Sequence, residues 1–166
     1  MLITRDTVFA PGVYVLPNGI EIAADHVEVD GNGAVFVGDG FKGRGVTLRQ
    51  RNGVTVKNLS IERYYHGVWA SGCTALCLSH NRISRTHELS GPDVFLDVWL
   101  DRASAYGGAM CLAGVIDSAV TDNDLQHQQN GLLLYGCENV EVARNNASFN
   151  SGYGVLLYES SRNTVE

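Results

Sequence analysis

The feature that most constrains this chain is an internal repeat of about 22 residues. Glycines that open short apolar segments recur at intervals of 22, 41, 23 and 23 residues, at Gly45, Gly67, Gly108, Gly131 and Gly154. A second motif, in which an apolar residue precedes a key position by three residues, recurs at intervals of 22, 42 and 22 residues, at Leu59, Asn81, Asn123 and Asn145. Two motifs that share one period, and one nearly doubled interval, predict a solenoid.

The length of the repeat selects the kind of solenoid. A unit of about 22 residues is too short for paired helices and lacks the leucine-rich consensus, whereas short β-rich runs separated by Gly and Asn fit one coil, or rung, of a parallel β-helix. Alternation within each run points Val46 and Leu48 inward, and alignment by the glycines points Cys111 inward and Met110 outward. We therefore predict an all-β, single-domain parallel β-helix over residues 1–166, with about five to six rungs stacked about 4.8 Å apart.

Asn81, Asn123 and Asn145 occupy equivalent positions of successive rungs, so they should form one column. An inward-facing Asn at a bend can bond to its counterpart one rung away and satisfy backbone groups that the bend leaves unpaired. Leu59 holds this position in the preceding rung. The column is therefore predicted to be a structural asparagine ladder that starts at Asn81.

The spacing, the asparagine column and the segments 123–134 and 150–163 resemble right-handed parallel β-helix proteins of the pectin-lyase-like superfamily. The closer resemblance is to the NosD-type group with carbohydrate-binding and sugar-hydrolase (CASH) repeats, and it covers about residues 20–166. It implies a carbohydrate ligand and an extracytoplasmic location, although nothing in the sequence assigns a compartment. It implies no single activity, because this fold carries lyases, hydrolases, epimerases and proteins without catalysis.

Three segments depart from the repeat. Residues 1–22 are predicted to form a hairpin-like N-terminal cap, with turns at Pro11-Gly12 and Asn18-Gly19. Residues 88–107 carry the extra length of the long interval and are predicted to be an insertion that leaves the helix, with loop, helix and extra rung as the open alternatives. The last rung ends incomplete at Glu166, and an uncapped rung would allow end-to-end self-association.

Charge is unevenly distributed along the chain. Residues 42–85 hold eight basic residues against Glu62 alone, whereas residues 86–141 hold nine acidic residues against Arg102. Such blocks are either neighbouring bands that neutralise each other or a basic face for an anionic ligand. The formal net charge of −6 disfavours nucleic acid as a partner, and the absence of any apolar run near 18 residues predicts no membrane span.

The four cysteines form no CxxC pair and no zinc-type spacing with histidine, so we predict free thiols, no bound metal and no cofactor. Calcium binding stays open, but the chain has neither an EF-type loop nor a nonapeptide repeat to support it.

The polar residues just before each rung-opening glycine form the candidate site. Aligning the rungs brings three columns together, Arg63 with Arg85 and His127, Tyr64 with Gln128, and Tyr65 with His87, and His66 lies beside them. Proton abstraction next to a sugar carboxylate needs a cation, a base and an acid. We assign the role of the cation to Arg63 and Arg85 and the role of the base to His87 or His127. The role of the acid falls to Tyr64, with Tyr65 as the alternative.

The remaining binding residues come from the same bend and from the insertion. We predict that substrate contacts Tyr65, His66, Gln128, Trp99, Asp97 and Asp101. A carboxylate pair for glycoside hydrolysis could also be drawn from Asp93, Asp97 and Asp101 with Asp122 or Asp124, and outward aromatics such as Trp69 and Tyr135 could stack on sugar rings. The alternative is a solvated surface whose arginines are neutralised by Glu62 and Glu88.

These residues favour polysaccharide binding or processing, with an acidic glycan as ligand and lyase-like or epimerase-like chemistry as an option. The main alternative is a non-catalytic β-helix module or scaffold of a larger envelope or periplasmic protein. An ice-binding or mineral-binding solenoid is disfavoured, because no face carries a regular Thr column. The sequence leaves open whether the chain is an enzyme.

Overall fold

The structure, a computed structural model, describes residues 1–88 and 106–166. Within this part the chain coils into a β-solenoid in which successive strands of one rung belong to three different sheets. Every strand pair is parallel, and the register is set by the repeat, since Val68 pairs with Val46 22 residues earlier. The predicted all-β parallel β-helix is therefore confirmed.

The described residues contain two seven-stranded sheets and one four-stranded sheet. The first sheet consists of β1 (Leu2–Ile3), β4 (Ile20–Ile22), β7 (Arg44–Arg49), β10 (His66–Ser71), β13 (Gly108–Ala113), β15 (Leu132–Tyr135) and β17 (Val155–Tyr158). The second sheet consists of β2 (Thr7–Val8), β5 (Glu28–Asp30), β8 (Thr55–Lys57), β11 (Cys77–Ser79), β14 (Ile116–Thr121), β16 (Glu138–Ala143) and β18 (Thr164–Val165). The third sheet consists of β3 (Gly12–Val15), β6 (Ala34–Val37), β9 (Ser60–Glu62) and β12 (Arg82–Ser84).

The described solenoid has about seven rungs, more than the five to six expected, because residues 1–22 also take part in it. Strand β1 pairs in parallel with β4, β2 with β5 and β3 with β6, so the hairpin-like arrangement predicted for this segment is wrong. The glycine signals mark corners of a rung instead of hairpin turns. Gly19, for example, has φ +61 and lies against the carbonyls of Arg44 and Gly45, where a Cβ atom would collide.

Inward-facing side chains form a continuous apolar core along the axis. Positions such as Val46 and Val68, and Leu48 and Ala70, pair rung to rung and have 0% exposure. Burial of such columns provides the main driving force for folding, because one rung alone cannot cover its apolar face.

The predicted orientation of residues 110 and 111 is wrong by one position. Met110 pairs with inward-facing Val68 and belongs to the core, whereas Cys111 pairs with Trp69 on the outer face of the first sheet. The glycine alignment had matched Gly108 with Gly67, but His66 is the residue that pairs with Gly108. A slip of one residue exchanges the two faces of a strand.

The asparagine ladder is present as predicted. The main-chain N–H of Asn81 donates to Asn123 Oδ1 at 2.9 Å, and Asn123 Nδ2 donates to Asn145 Oδ1 at 2.9 Å. At the start of the ladder, the Leu59 N–H donates to Asn81 Oδ1 at 3.1 Å. The column therefore satisfies buried polar groups at the corner between the second and third sheets.

The rungs on either side of the predicted insertion are direct neighbours. Strand β10 pairs with β13 and β11 with β14, and Asn81 bonds to Asn123. Residues 89–105 of the insertion, to which the loop, helix and extra-rung alternatives refer, lie outside the described residues. Side chains that follow Asn81 and Asn123 are thus one rung apart.

Candidate functional site

One exposed column follows the third sheet, where the chain bends toward the first sheet. Arg63, Arg85, His127 and Phe149 have φ angles of 65°, 53°, 60° and 56°, and all four are exposed. The Arg63 N–H donates to the Arg85 carbonyl at 3.0 Å, and the Arg85 N–H donates to the His127 carbonyl at 3.0 Å. The left-handed backbone turns these side chains outward, so three of the predicted site residues stand in one row.

A groove of about 600 Å³ lies beside this column on the outer face of the third sheet. Its walls include Glu62, Arg82, Arg85, Asp124 and His127. Arg82 Nε lies 3.7 Å from Asp124 Oδ2, and Arg85 Nη1 lies 3.8 Å from Glu62 Oε2. Both arginine side chains are more than 70% exposed, so these ion pairs are weak and a ligand can displace them.

A second depression of about 520 Å³ adjoins the groove, and Phe41, His87 and Glu88 are among its lining residues. Arg85 and His127 line both depressions and therefore stand on the ridge between them. The His127 ring stacks on Phe149 with ring centres 5.3 Å apart and an angle of 4° between the planes. The two depressions and the ridge form a surface on which an extended ligand could lie.

Two of the predicted site residues face the interior. Tyr64 has 0% exposure, its hydroxyl donates to the Leu16 carbonyl at 2.7 Å, and burial raises the pKa of Tyr64 to about 12. Gln128 has 1% exposure, and its Nε2 donates to the Ile83 carbonyl at 3.0 Å. The prediction that Tyr64 acts as an acid and that Gln128 contacts substrate therefore does not fit their placement.

The reason is the local geometry of the bend. The residue after each left-handed position turns back into the solenoid, so Tyr64, Thr86, Gln128 and Asn150 form an internal column. In this column the Thr86 hydroxyl bonds to Gln128 Oε1 at 3.3 Å, and the Gln128 N–H donates to Asn150 Oδ1 at 3.2 Å. It is a second polar ladder, and its role is structural.

Tyr65, His66 and His87 form an aromatic cluster at the start of β10. The ring of Tyr65 lies 4.8 Å from that of His66 and 4.6 Å from that of His87. His66 is 3% exposed, and burial lowers the pKa of His66 to about 4, so its imidazole is neutral at neutral pH. Tyr65 and His87 are half-buried, so the cluster presents only part of its surface to solvent.

The outer face of the first sheet holds functional candidates that the repeat alignment did not single out. The guanidinium carbon of Arg44 lies 3.7 Å from the ring centre of Trp69, and that of Arg49 lies 5.0 Å from it. Trp69 is outward-facing as expected, but its side chain is only 8% exposed and offers little face to a sugar. Tyr135, at 4% exposure, is similarly covered. The sequence did contain a signal for this cluster. Thr47 aligns with Trp69 one rung away, and it lies in β7 between Arg44 and Arg49.

One member of the predicted carboxylate pair lies outside the described residues, so the pairing stays a prediction. Asp93, Asp97, Trp99 and Asp101 lie outside the described residues. Asp122 is held by Arg144, through contacts of 2.8 and 2.9 Å that lower the pKa of Asp122. Within residues 1–88 and 106–166, no three His, Cys, Asp or Glu side chains are grouped so that they could hold a metal ion. No helix in these ranges is long and apolar enough to span a membrane.

Comparison with known proteins gives one finding. A family model described as a right handed beta helix region matches residues 11–166, which is most of the chain. No curated protein and no solved structure gave a significant match. With the parallel pairing and the ladder described above, this match shows that the chain belongs to the right-handed β-helix family.

Proposed function

We propose that this chain binds an acidic polysaccharide along the groove of the third sheet and the adjoining depression. The observation that carries the proposal is the position of Arg85 and His127, which are exposed on the ridge shared by two depressions of about 600 and 520 Å³. Each of these is in the size range of ligand sites, and together they provide room for more than one sugar residue.

The side chains on this surface suit the chemistry of a uronate polymer. The guanidinium groups of Arg63 and Arg85 can form bidentate hydrogen bonds with sugar carboxylates. The stacked rings of His127 and Phe149 can pack against the CH face of a sugar. Ser60 and other small polar residues of the groove can bond to hydroxyl groups.

Binding is better supported than turnover. The predicted acid Tyr64 is enclosed in the solenoid, whereas an elimination or epimerisation needs an acid or base that reaches the sugar. His87 and His127 remain the candidate bases, because both line the second depression. Lyase-like chemistry is therefore the secondary proposal, and assignment to the NosD-type group with CASH repeats fits either activity.

The rival function is that of a non-catalytic scaffold module. It is favoured by the ion pairs that Arg82 and Arg85 already make with Asp124 and Glu62, which reduce the positive potential of the groove. A binding site would bind an added polyanion, whereas a neutralised surface would not, so a binding measurement distinguishes the two functions.

The test is a binding panel of polygalacturonate, alginate and neutral dextran, followed by calorimetry at low and moderate salt, with absorbance near 235 nm as the assay for unsaturated products. We expect saturable binding of a polyuronate that weakens with salt, and no binding of dextran. Equal or absent binding of charged and neutral polymers would contradict the proposal in favour of the scaffold. A rising absorbance would add lyase activity to it.

A further inference from the structure

We propose that the outer face of the first sheet carries a second ligand site, separate from the groove of the third sheet, in which Arg44 and Arg49 bind a small oxyanion. The ligand class is a carboxylate, sulfate or phosphate group. Such a group can come from a free anion or from an acid substituent on a sugar chain. The site does not depend on the function proposed for the groove.

The geometry of the site is set by strand β7, at whose two ends the arginines lie. Both guanidinium groups approach the same ring of Trp69, at 3.7 and 5.0 Å from its centre. Beside them is a cleft of about 430 Å³, whose walls include Asn18, Thr47 and both arginines. Stacking on the indole ring fixes the planes of the guanidinium groups and leaves their N–H groups available at the cleft.

The charge of this site is unbalanced. Within residues 1–88 and 106–166, neither Arg44 nor Arg49 makes an ion pair, whereas Arg51, for comparison, pairs with Asp25. Glu21 also lines the cleft, but it forms no ion pair with either arginine. Burial and the like charge of Arg49 lower the pKa of Arg44. Arg44 is half-buried and Arg49 is exposed, so the two guanidinium groups repel each other at a partly desolvated surface, and a bound oxyanion would offset that repulsion.

The neutral groups of the cleft fit an anion better than a cation. Thr47 is 8% exposed and can donate a hydrogen bond, and Asn18 provides an amide. His66 lines the same cleft as a neutral imidazole. The indole N–H of the neighbouring Trp69, which does not itself line the cleft, is buried and has no hydrogen-bond partner among the described residues. The cleft thus combines two guanidinium groups and uncharged donors with one carboxylate, Glu21, so its lining carries a net positive charge that favours an anion.

The experiment uses Trp69 as its own reporter. The chain has two tryptophans, so Trp99→Phe leaves Trp69 as the single indole emitter. This variant is titrated with sodium sulfate, inorganic phosphate, glucuronate and polygalacturonate at constant ionic strength, and emission is compared with calorimetry. We expect a saturable change in Trp69 emission, because an anion that draws the guanidinium groups alters their stacking on the ring.

Two substitutions locate the site. Arg49→Gln should weaken binding at least tenfold, and Arg44→Gln should do the same provided that its thermal midpoint shows a folded protein. Arg49→Lys keeps the charge but not the planar stack on the indole, so it should weaken binding less than Arg49→Gln. Arg82→Gln, in the groove of the third sheet, is the matched control and should leave the response of Trp69 unchanged.

The outcomes separate the sources of the anion and the two proposed sites. Binding of sulfate or phosphate alone assigns a free anion, and binding of glucuronate or polygalacturonate assigns a sugar acid; both support the site if Arg49→Gln abolishes them. No saturable response to any of the four probes, or a response that Arg49→Gln leaves intact, would overturn it. Loss of polyuronate binding in Arg85→Ala with an intact Trp69 response would support both sites independently.

Discussion

Replacement of the central ladder residue, Asn123→Leu, should destabilise the protein through polar groups and not through packing. Asn123 is 2% exposed, and its Oδ1 accepts from the main-chain N–H of Asn81 at 2.9 Å. Its Nδ2 donates to the Leu78 carbonyl and to Asn145 Oδ1, both at 2.9 Å. Leucine has the same branching and number of side-chain heavy atoms but can make none of these bonds, so the substitution tests the ladder while keeping the space filled.

The magnitude follows from what the change leaves behind. The Asn81 N–H becomes a buried donor without an acceptor, which costs about 1–3 kcal/mol, and the lost bonds to Leu78 and Asn145 add about 1 kcal/mol each. Burial of the leucine side chain returns about 1–2 kcal/mol. We expect a net loss of about 1–4 kcal/mol in the free energy of unfolding, measured by urea denaturation with an unchanged m-value.

The matched control is Asn52→Leu. Asn52 is exposed, and its side chain makes a single bond, in which Oδ1 accepts from the Thr74 hydroxyl at 3.0 Å, so water can replace what is lost. This variant should change stability by less than about 0.5 kcal/mol. If Asn123→Leu were no more destabilising than Asn52→Leu, the ladder would contribute nothing to stability and our reasoning about buried backbone groups would be wrong.

Three further predictions concern the core and the titrating groups. Gly67→Ala should cost about 1–3 kcal/mol in a urea melt, because its Cβ would collide with the Ile83 side chain; an unchanged midpoint would contradict this. The pKa of His66 is about 4 in the folded chain against its ordinary 6.5, so unfolded chains take up more protons in that window. Stability should therefore fall as the pH drops from about 6.5 to 4, and less in His66→Gln; an NMR-measured pKa near 6.5 would refute it. Half-buried Cys77 should react first with a thiol reagent in the native protein, whereas burial raises the pKa of Cys111 to about 12 and should make Cys111 slow.

The fold could be predicted because two separate motifs, one of glycines and one of asparagines, recur with the same period in the sequence. The first rung could not be predicted, since residues 1–22 contain neither motif, although they pair in parallel with the next rung. The predicted orientation of Met110 is wrong because the alignment matches Gly108 with Gly67, whereas Ala109 is the residue equivalent to Gly67. Sequence similarity between rungs therefore fixes the period better than it fixes the strand face.

The candidate site was predictable as a column but not as a surface. Equivalent spacing placed Arg85 and His127 on adjacent rungs, and the structure has them there. Whether a corner residue points outward or inward depends on one left-handed backbone angle. The sequence does not predict that angle when the residue is Arg or His. For this reason the sequence predicts exposed side chains for Tyr64 and Gln128, whereas the structure buries both. Arg44 and Arg49 were missed because their partner Trp69 lies one rung away.

The central claim, that the exposed ridge of the third sheet binds an acidic glycan, is tested most directly by calorimetry of polygalacturonate with Arg85→Ala and Arg162→Ala. Both arginines are at least 70% exposed and each pairs with one glutamate, Glu62 or Glu138, but Arg162 lies on the second-sheet side, away from the groove. We expect Arg85→Ala to weaken binding about tenfold or more, as loss of a charge-assisted hydrogen-bond pair should, and Arg162→Ala to bind like the parent. Equal affinities for the parent and both variants would contradict the claim.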